Sequence, residues 1–161
     1  MEIPRPRTLI MFFVFIAIPL LAGIAGAGVT AANIHGWYDG LARLPVTPPG
    51  WVFAPAWTLL YILMGISLFF FVREGSDRHL CVQGVCLFVL QLILNVLWSF
   101  LFFGLHNPVV ALAELLVLIA VIAATAWTFH RSSPTAAWLL APYLAWCCFA
   151  ACLNAGIVVL N

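Results

Sequence analysis

Apolar residues run almost unbroken through five stretches of the chain, residues 8–32, 51–72, 80–103, 109–129 and 134–160. Polar and turn-forming residues crowd the breaks between them: Asn33 to Gly50, Arg73 to His79, His106-Asn107-Pro108, and His130-Arg131-Ser132-Ser133. Each stretch reaches the roughly 20 residues that a helix needs to cross a hydrocarbon core of about 30 Å. Within lipid the backbone must satisfy its own hydrogen bonds, which leaves helices or closed barrels. Barrel strands alternate polar and apolar over about ten residues, whereas these runs are longer and apolar on every face. The pattern predicts an all-α integral membrane bundle of five transmembrane helices, a single domain over residues 1–161, with a long first loop at 33–50.

Composition agrees. Of 161 residues, 66% are hydrophobic and 7% charged, and the mean hydropathy is +1.17. A soluble domain is about 25% charged, so a water-soluble enzyme is excluded. Six basic residues against five acids leave a net charge of +1 and no basic face for nucleic acid. All six are arginines. Arg5, Arg7, Arg73, Arg78 and Arg131 fall at one side of the five spans, and Arg43 alone at the other. That bias argues for a cytoplasmic N-terminus, in a bacterial cell membrane. The first stretch also imitates a signal peptide, with Leu9–Leu21 followed by Ala25-Gly26-Ala27. The apolar run continues to Ala32, which favours a retained span.

Polar side chains inside a membrane are where function is sought first. Gln91, Asn95 and Ser99 are four apart on one helical face, with Trp98 beside them. This stripe suits interhelical hydrogen bonding and a ligand-facing surface equally. In the fifth span Tyr143, Trp146, Ala150 and Asn154 share a face, and in the second Trp57 and Tyr61 are one turn apart with Met64 beyond. Trp51, Trp127 and Trp138 suit headgroup anchoring, but Trp57 and Trp146 lie one or two turns inside their spans. Three helices thus offer aromatic and amide groups to a flat, amphipathic ligand. Glu114, the only acid within a span, reads either as an interfacial capping group or as part of a site. Small residues in the first span, Ala22/Gly26 and Gly23/Ala27, permit close packing within the bundle or at a dimer seam, and Pro19 should kink it. The five cysteines read as small packing residues and the four histidines as scattered singles, so no metal site is expected. No nucleophile–base pair or phosphate loop is present.

At Trp37–Gly65 these residues form a pattern: Trp37-Tyr38-Asp39, then Leu44-Pro45-Val46-Thr47-Pro48-Pro49-Gly50-Trp51-Val52-Phe53-Ala54-Pro55-Ala56-Trp57-Thr58, closing with Tyr61-Ile62-Leu63-Met64-Gly65. With Gln91 to Ser99, Phe102-Phe103-Gly104, Pro142 to Trp146 and Leu153-Asn154, the chain resembles the TspO/MBR family, the tryptophan-rich sensory proteins related to the mitochondrial translocator protein. The resemblance implies a five-helix bundle, often a homodimer, with a pocket closed by the first loop. It implies binding of porphyrins, protoporphyrin IX and haem included, as ligands and not as required cofactors. Eukaryotic members also bind cholesterol and benzodiazepine-type drugs. Carried over by position, the pocket tryptophans are Trp57 and Trp146 and the polar pocket residue is Asn95. Trp37, Tyr38 and Pro48-Pro49-Gly50-Trp51 match the lid and hinge, and Glu114 matches a position where an acid is common. Val46 and Val110 depart from bulkier family residues, which weighs against drug binding of the mammalian kind. The C-terminal cholesterol motif is absent.

Three functions are open to such a chain. The leading one is a tetrapyrrole-binding receptor or regulator, in which Trp57 and Trp146 stack on the macrocycle and Asn95 and Tyr61 hydrogen-bond to it. Trp98 and Tyr143 border the pocket, and Arg43 or His35 meets the propionates. The alternatives are a tetrapyrrole transporter and an enzyme that degrades porphyrin in light and oxygen, with Trp57 and Trp146 as redox partners.

Overall fold

The computed structural model describes residues 6–34, 36–75 and 77–161; Arg5 and His35 lie outside them. Among the described residues five α-helices form, α1 (Pro6–Ile34), α2 (Phe53–Glu74), α3 (Arg78–Ser99), α4 (Pro108–His130) and α5 (Pro134–Leu160), each long and apolar enough to cross a membrane. Their starts follow from the polar residues in the breaks. Asp77 accepts from the N–H groups of His79 and Leu80 at 2.8 and 3.2 Å and opens α3. Asn107 accepts from Val110 N–H at 3.1 Å ahead of Pro108, and Ser133 from Ala136 N–H at 3.2 Å ahead of Pro134. Each pairs a capping side chain with a proline at the first helical position, where its missing N–H costs nothing.

The helices close into a ring in the order α1, α2, α5, α4, α3. Glycines set the closest approaches. At Gly65 the α1 backbone comes so near that a Cβ would sit 2.7 Å from the Phe15 carbonyl oxygen. Tyr61 lies over Gly23, and Gly26 faces the Ser99 hydroxyl. The small residues of α1 at these positions therefore serve packing within the bundle. Towards the arginine-rich end, Phe71 and Phe129 stack at 3.9 Å with an 8° interplanar angle, and Phe88 continues the stack at 6.2 Å from Phe129. Ser67 donates to the Ala136 carbonyl at 2.6 Å, tying α2 to the start of α5.

One span differs from its expected form. The third run, expected as regular helix to Phe103, is α-helical only to Ser99 and widens into a π turn over Phe100–Gly104. Leu105 N–H bonds the Phe100 carbonyl five residues back at 2.9 Å. The extra residue per turn carries Phe102 and Phe103 into buried positions, where they meet the first loop. π turns of this kind are often found at functional sites. His106 then takes a left-handed conformation (φ 52°) in the α3–α4 turn.

Candidate functional site

At the centre of the ring stands a hydrogen-bonded trio from three helices. The Tyr61 hydroxyl donates to Asn95 Oδ1 at 2.6 Å, and Asn95 Nδ2 donates to the Tyr143 hydroxyl oxygen at 3.2 Å. All three residues are buried, Tyr143 completely. The amide is suited to this place because it both accepts and donates, so one side chain joins α2 to α5 through α3. Around the trio lies a ladder of rings. Trp57 stacks on Tyr61 at 5.5 Å (25°), meets Tyr143 edge-on at 6.3 Å, and meets Trp146 at 6.4 Å and 84°. Phe53 and Phe149 flank Trp146, each at 5.9 Å. On the outer side of the ladder, the seam between α2 and α5 holds an open groove of about 340 Å³, lined by Ala56, Leu59, Leu60, Pro142, Ala145, Phe149 and Trp146. Trp146 is thus shared by the groove and the interior cluster.

The stripe predicted on α3 divides. Asn95 joins the trio, Ser99 turns to Gly26, and Gln91 is fully buried with neither amide atom hydrogen-bonded among the described residues. Glu114 lies six residues beyond Pro108, too deep to cap α4, whose cap is Asn107. Both its carboxyl oxygens are buried without a hydrogen-bond partner among the described residues. Glu114 is therefore a buried acid within α4 and not its cap. Asn154, with its amide nitrogen turned to the Pro108 carbonyl (3.0 Å) and its oxygen to Leu112 N–H (3.1 Å), brackets the first turn of α4.

Trp37 and Tyr38 gather elsewhere. Trp37 stacks on His106 at 4.5 Å and meets Phe102 at 5.5 Å, while Tyr38 meets Phe103 at 5.6 Å and carries the Arg43 guanidinium 5.0 Å above its ring. His106 Nε2 in turn lies 3.3 Å from Asn33 Oδ1. Trp98 stacks on Phe102 at 5.2 Å and packs against both apolar clusters, so it bridges the loop cluster and the interior one. Trp51 is 76% exposed and is not brought to either.

Four partners were missed by reading the sequence. Cys147 follows Tyr143 by four residues and Phe53 precedes Trp57 by four, so helical spacing could have found both. The other two hold the loop down. Asn161 accepts from Ala42 N–H at 3.0 Å and donates to the Ala42 carbonyl at 3.1 Å, and Leu44 fills the space above Gly156. These contacts span more than a hundred residues and carry no local signal.

Five apolar spans enclosing a buried tyrosine–amide–tyrosine trio and a tryptophan ladder define a multi-pass helical membrane protein with an intramembrane aromatic site. The TspO/MBR family model matches residues 15–160, and the chain belongs to that family. It is 45% identical to the tryptophan-rich protein TspO of Archaeoglobus fulgidus over 143 residues, covering 88% of this chain and 91% of that one. It is 41% identical to the translocator protein of Bos taurus (87% and 83% covered) and 38% identical to the tryptophan-rich sensory protein of Cereibacter sphaeroides (78% and 77%).

Proposed function

We propose that this chain is a membrane receptor or regulator for tetrapyrroles, protoporphyrin IX and haem among them. The observation that carries the reading is the convergence of Trp57, Tyr61, Tyr143 and Trp146 around Asn95 inside a lipid-facing bundle. A tetrapyrrole is a flat aromatic disc with polar edge groups. Each ring it stacks on contributes about 0.5–1.5 kcal/mol beyond burial, and a few placed polar groups set its orientation. Because the two indoles stand at 84°, one macrocycle takes the face of one and the edge of the other. The α2–α5 groove, which falls within the roughly 300–1,000 Å³ typical of small-molecule sites, gives the ligand an approach along Trp146. The Asn95 amide and the tyrosine hydroxyls meet its polar atoms by exchanging bonds they now make with each other. Arg43, held at the loop end by Tyr38, supplies a cation for a propionate. No further cofactor enters this reading. The protein acts as a homodimer in a bacterial cell membrane, with the arginine-rich end cytoplasmic as the charge bias directs.

Titration of the detergent-solubilised protein with protoporphyrin IX, followed by tryptophan fluorescence, tests the proposal. Saturable quenching is expected, weakened at least tenfold in the Trp57→Ala/Trp146→Ala variant. Equal affinity in that variant refutes the stacking role.

A further inference from the structure

A second groove, of about 360 Å³, lies on the α4–α5 seam at the opposite end of the bundle from the first loop. Its floor is low because it is built from alanines, Ala123, Ala126 and Ala137 among them, and its lining includes Trp127 and Trp138, which are 71% and 73% exposed. His130 lines the groove and Arg131 follows it in the connecting turn.

We propose that this groove is a site for one anionic phospholipid, with an acyl chain lying on the alanine floor between the two indoles and the phosphate at the α4–α5 turn. Three features of the turn are complementary to an anion. Arg131 is exposed there beside His130, and no Asp or Glu occurs anywhere in the chain after Glu114. The N-terminus of the 27-residue helix α5 points its positive end to the same level. The opposing carbonyl end of α4 is already occupied: Arg131 N–H bonds the Thr128 carbonyl, and the N–H groups of Ser132 and Ser133 both bond that of Phe129. Among the described residues the acids nearest this end of the bundle are Glu74 and Asp77, and the carboxylate of Asp77 is engaged in capping α3. Basic sites between helices at the headgroup level are where anionic lipid headgroups are recognised. The α2–α5 groove is an internal contrast: of similar size, it is lined by no charged residue and no histidine.

The test is native mass spectrometry of the full chain released from micelles that hold equal amounts of palmitoyl-oleoyl phosphatidylglycerol and phosphatidylcholine. One phosphatidylglycerol is expected to stay bound in preference to phosphatidylcholine. Arg131→Gln should reduce that preference about fivefold. Ala123→Leu, which raises the floor at an exposed position, should abolish retention of the lipid. Arg73→Gln, at the same end on another seam, should leave it unchanged. Equal retention of the two lipids by the parent protein overturns the proposal, as does an equal loss in Arg73→Gln, which would assign the preference to general surface charge. A monomer–dimer ratio that shifts in Ala123→Leu also overturns it, by assigning the groove to a second copy of the chain.

Discussion

Replacing Asn95 by leucine, which keeps the branched four-atom skeleton of the side chain but can neither accept nor donate, should damage the bundle more than removing either hydroxyl that the amide serves. The substitution cuts both the 2.6 Å bond from Tyr61 and the 3.2 Å bond to Tyr143, and it strands two hydroxyls in an apolar interior. Interhelical hydrogen bonds in membranes average about 0.6 kcal/mol and reach about 1.7. Two of them place the loss at about 1–3 kcal/mol, with the shorter bond carrying the larger share. Tyr61→Phe and Tyr143→Phe each break one bond, so each should cost less than Asn95→Leu. The assay is reversible unfolding in mixed detergent micelles as the mole fraction of dodecyl sulfate rises, followed by circular dichroism for all single and paired variants. A double-mutant cycle isolates each pair. Tyr61 with Asn95 should couple by about 0.6–1.7 kcal/mol, a factor of roughly 3 to 18 in the unfolding constant. Coupling indistinguishable from zero in both cycles would refute the claim that the trio holds three helices together. An Asn95→Leu variant as stable as the parent would refute it more directly.

Further outcomes follow from particular contacts. Gly65→Ala should cost about 1–3 kcal/mol in the same unfolding assay, the usual range for overpacking, because the atoms it meets are α1 backbone. Gly28→Ala, with nothing within 4 Å of the new methyl, should be neutral or stabilising by up to about 1 kcal/mol through helix propensity. Asn161→Ala should speed hydrogen exchange at Ala42 N–H several-fold while leaving the core amides of α2 unchanged; unchanged exchange at Ala42 would mean that the clip does not hold the loop. Ser67→Ala should lose about 0.6–1.7 kcal/mol, since its hydroxyl makes the 2.6 Å bond to the Ala136 carbonyl.

Much of the architecture was legible along the chain. Lipid imposes length and apolarity on every span, and the polar breaks bound them; Asp77, Asn107 and Ser133, which the structure shows as the caps of α3, α4 and α5, all lie within those breaks. Trp57, Tyr61, Asn95, Tyr143 and Trp146 could also be picked out, because a polar or aromatic group well inside a span has few reasons to be there. The same reading could not divide the α3 stripe. Gln91, Asn95 and Ser99 share one face by spacing, but which neighbour each meets depends on the ring order of the helices, and helical periodicity does not encode that order.

The sequence by itself determined the solvent, the number of spans and their approximate limits, because the cost of unsatisfied backbone in hydrocarbon leaves so little choice. Only the tertiary structure decided that Trp37 and Tyr38 pack on Phe102 and Phe103 through a π turn, and that the Glu114 carboxyl oxygens are buried within the bundle while Asn107 caps α4. It also decided that Asn161 and Gly156 hold the first loop. These outcomes rest on side chains far apart in the chain meeting at a helix seam, where shape and hydrogen-bond partners are set by neighbours and not by local preference.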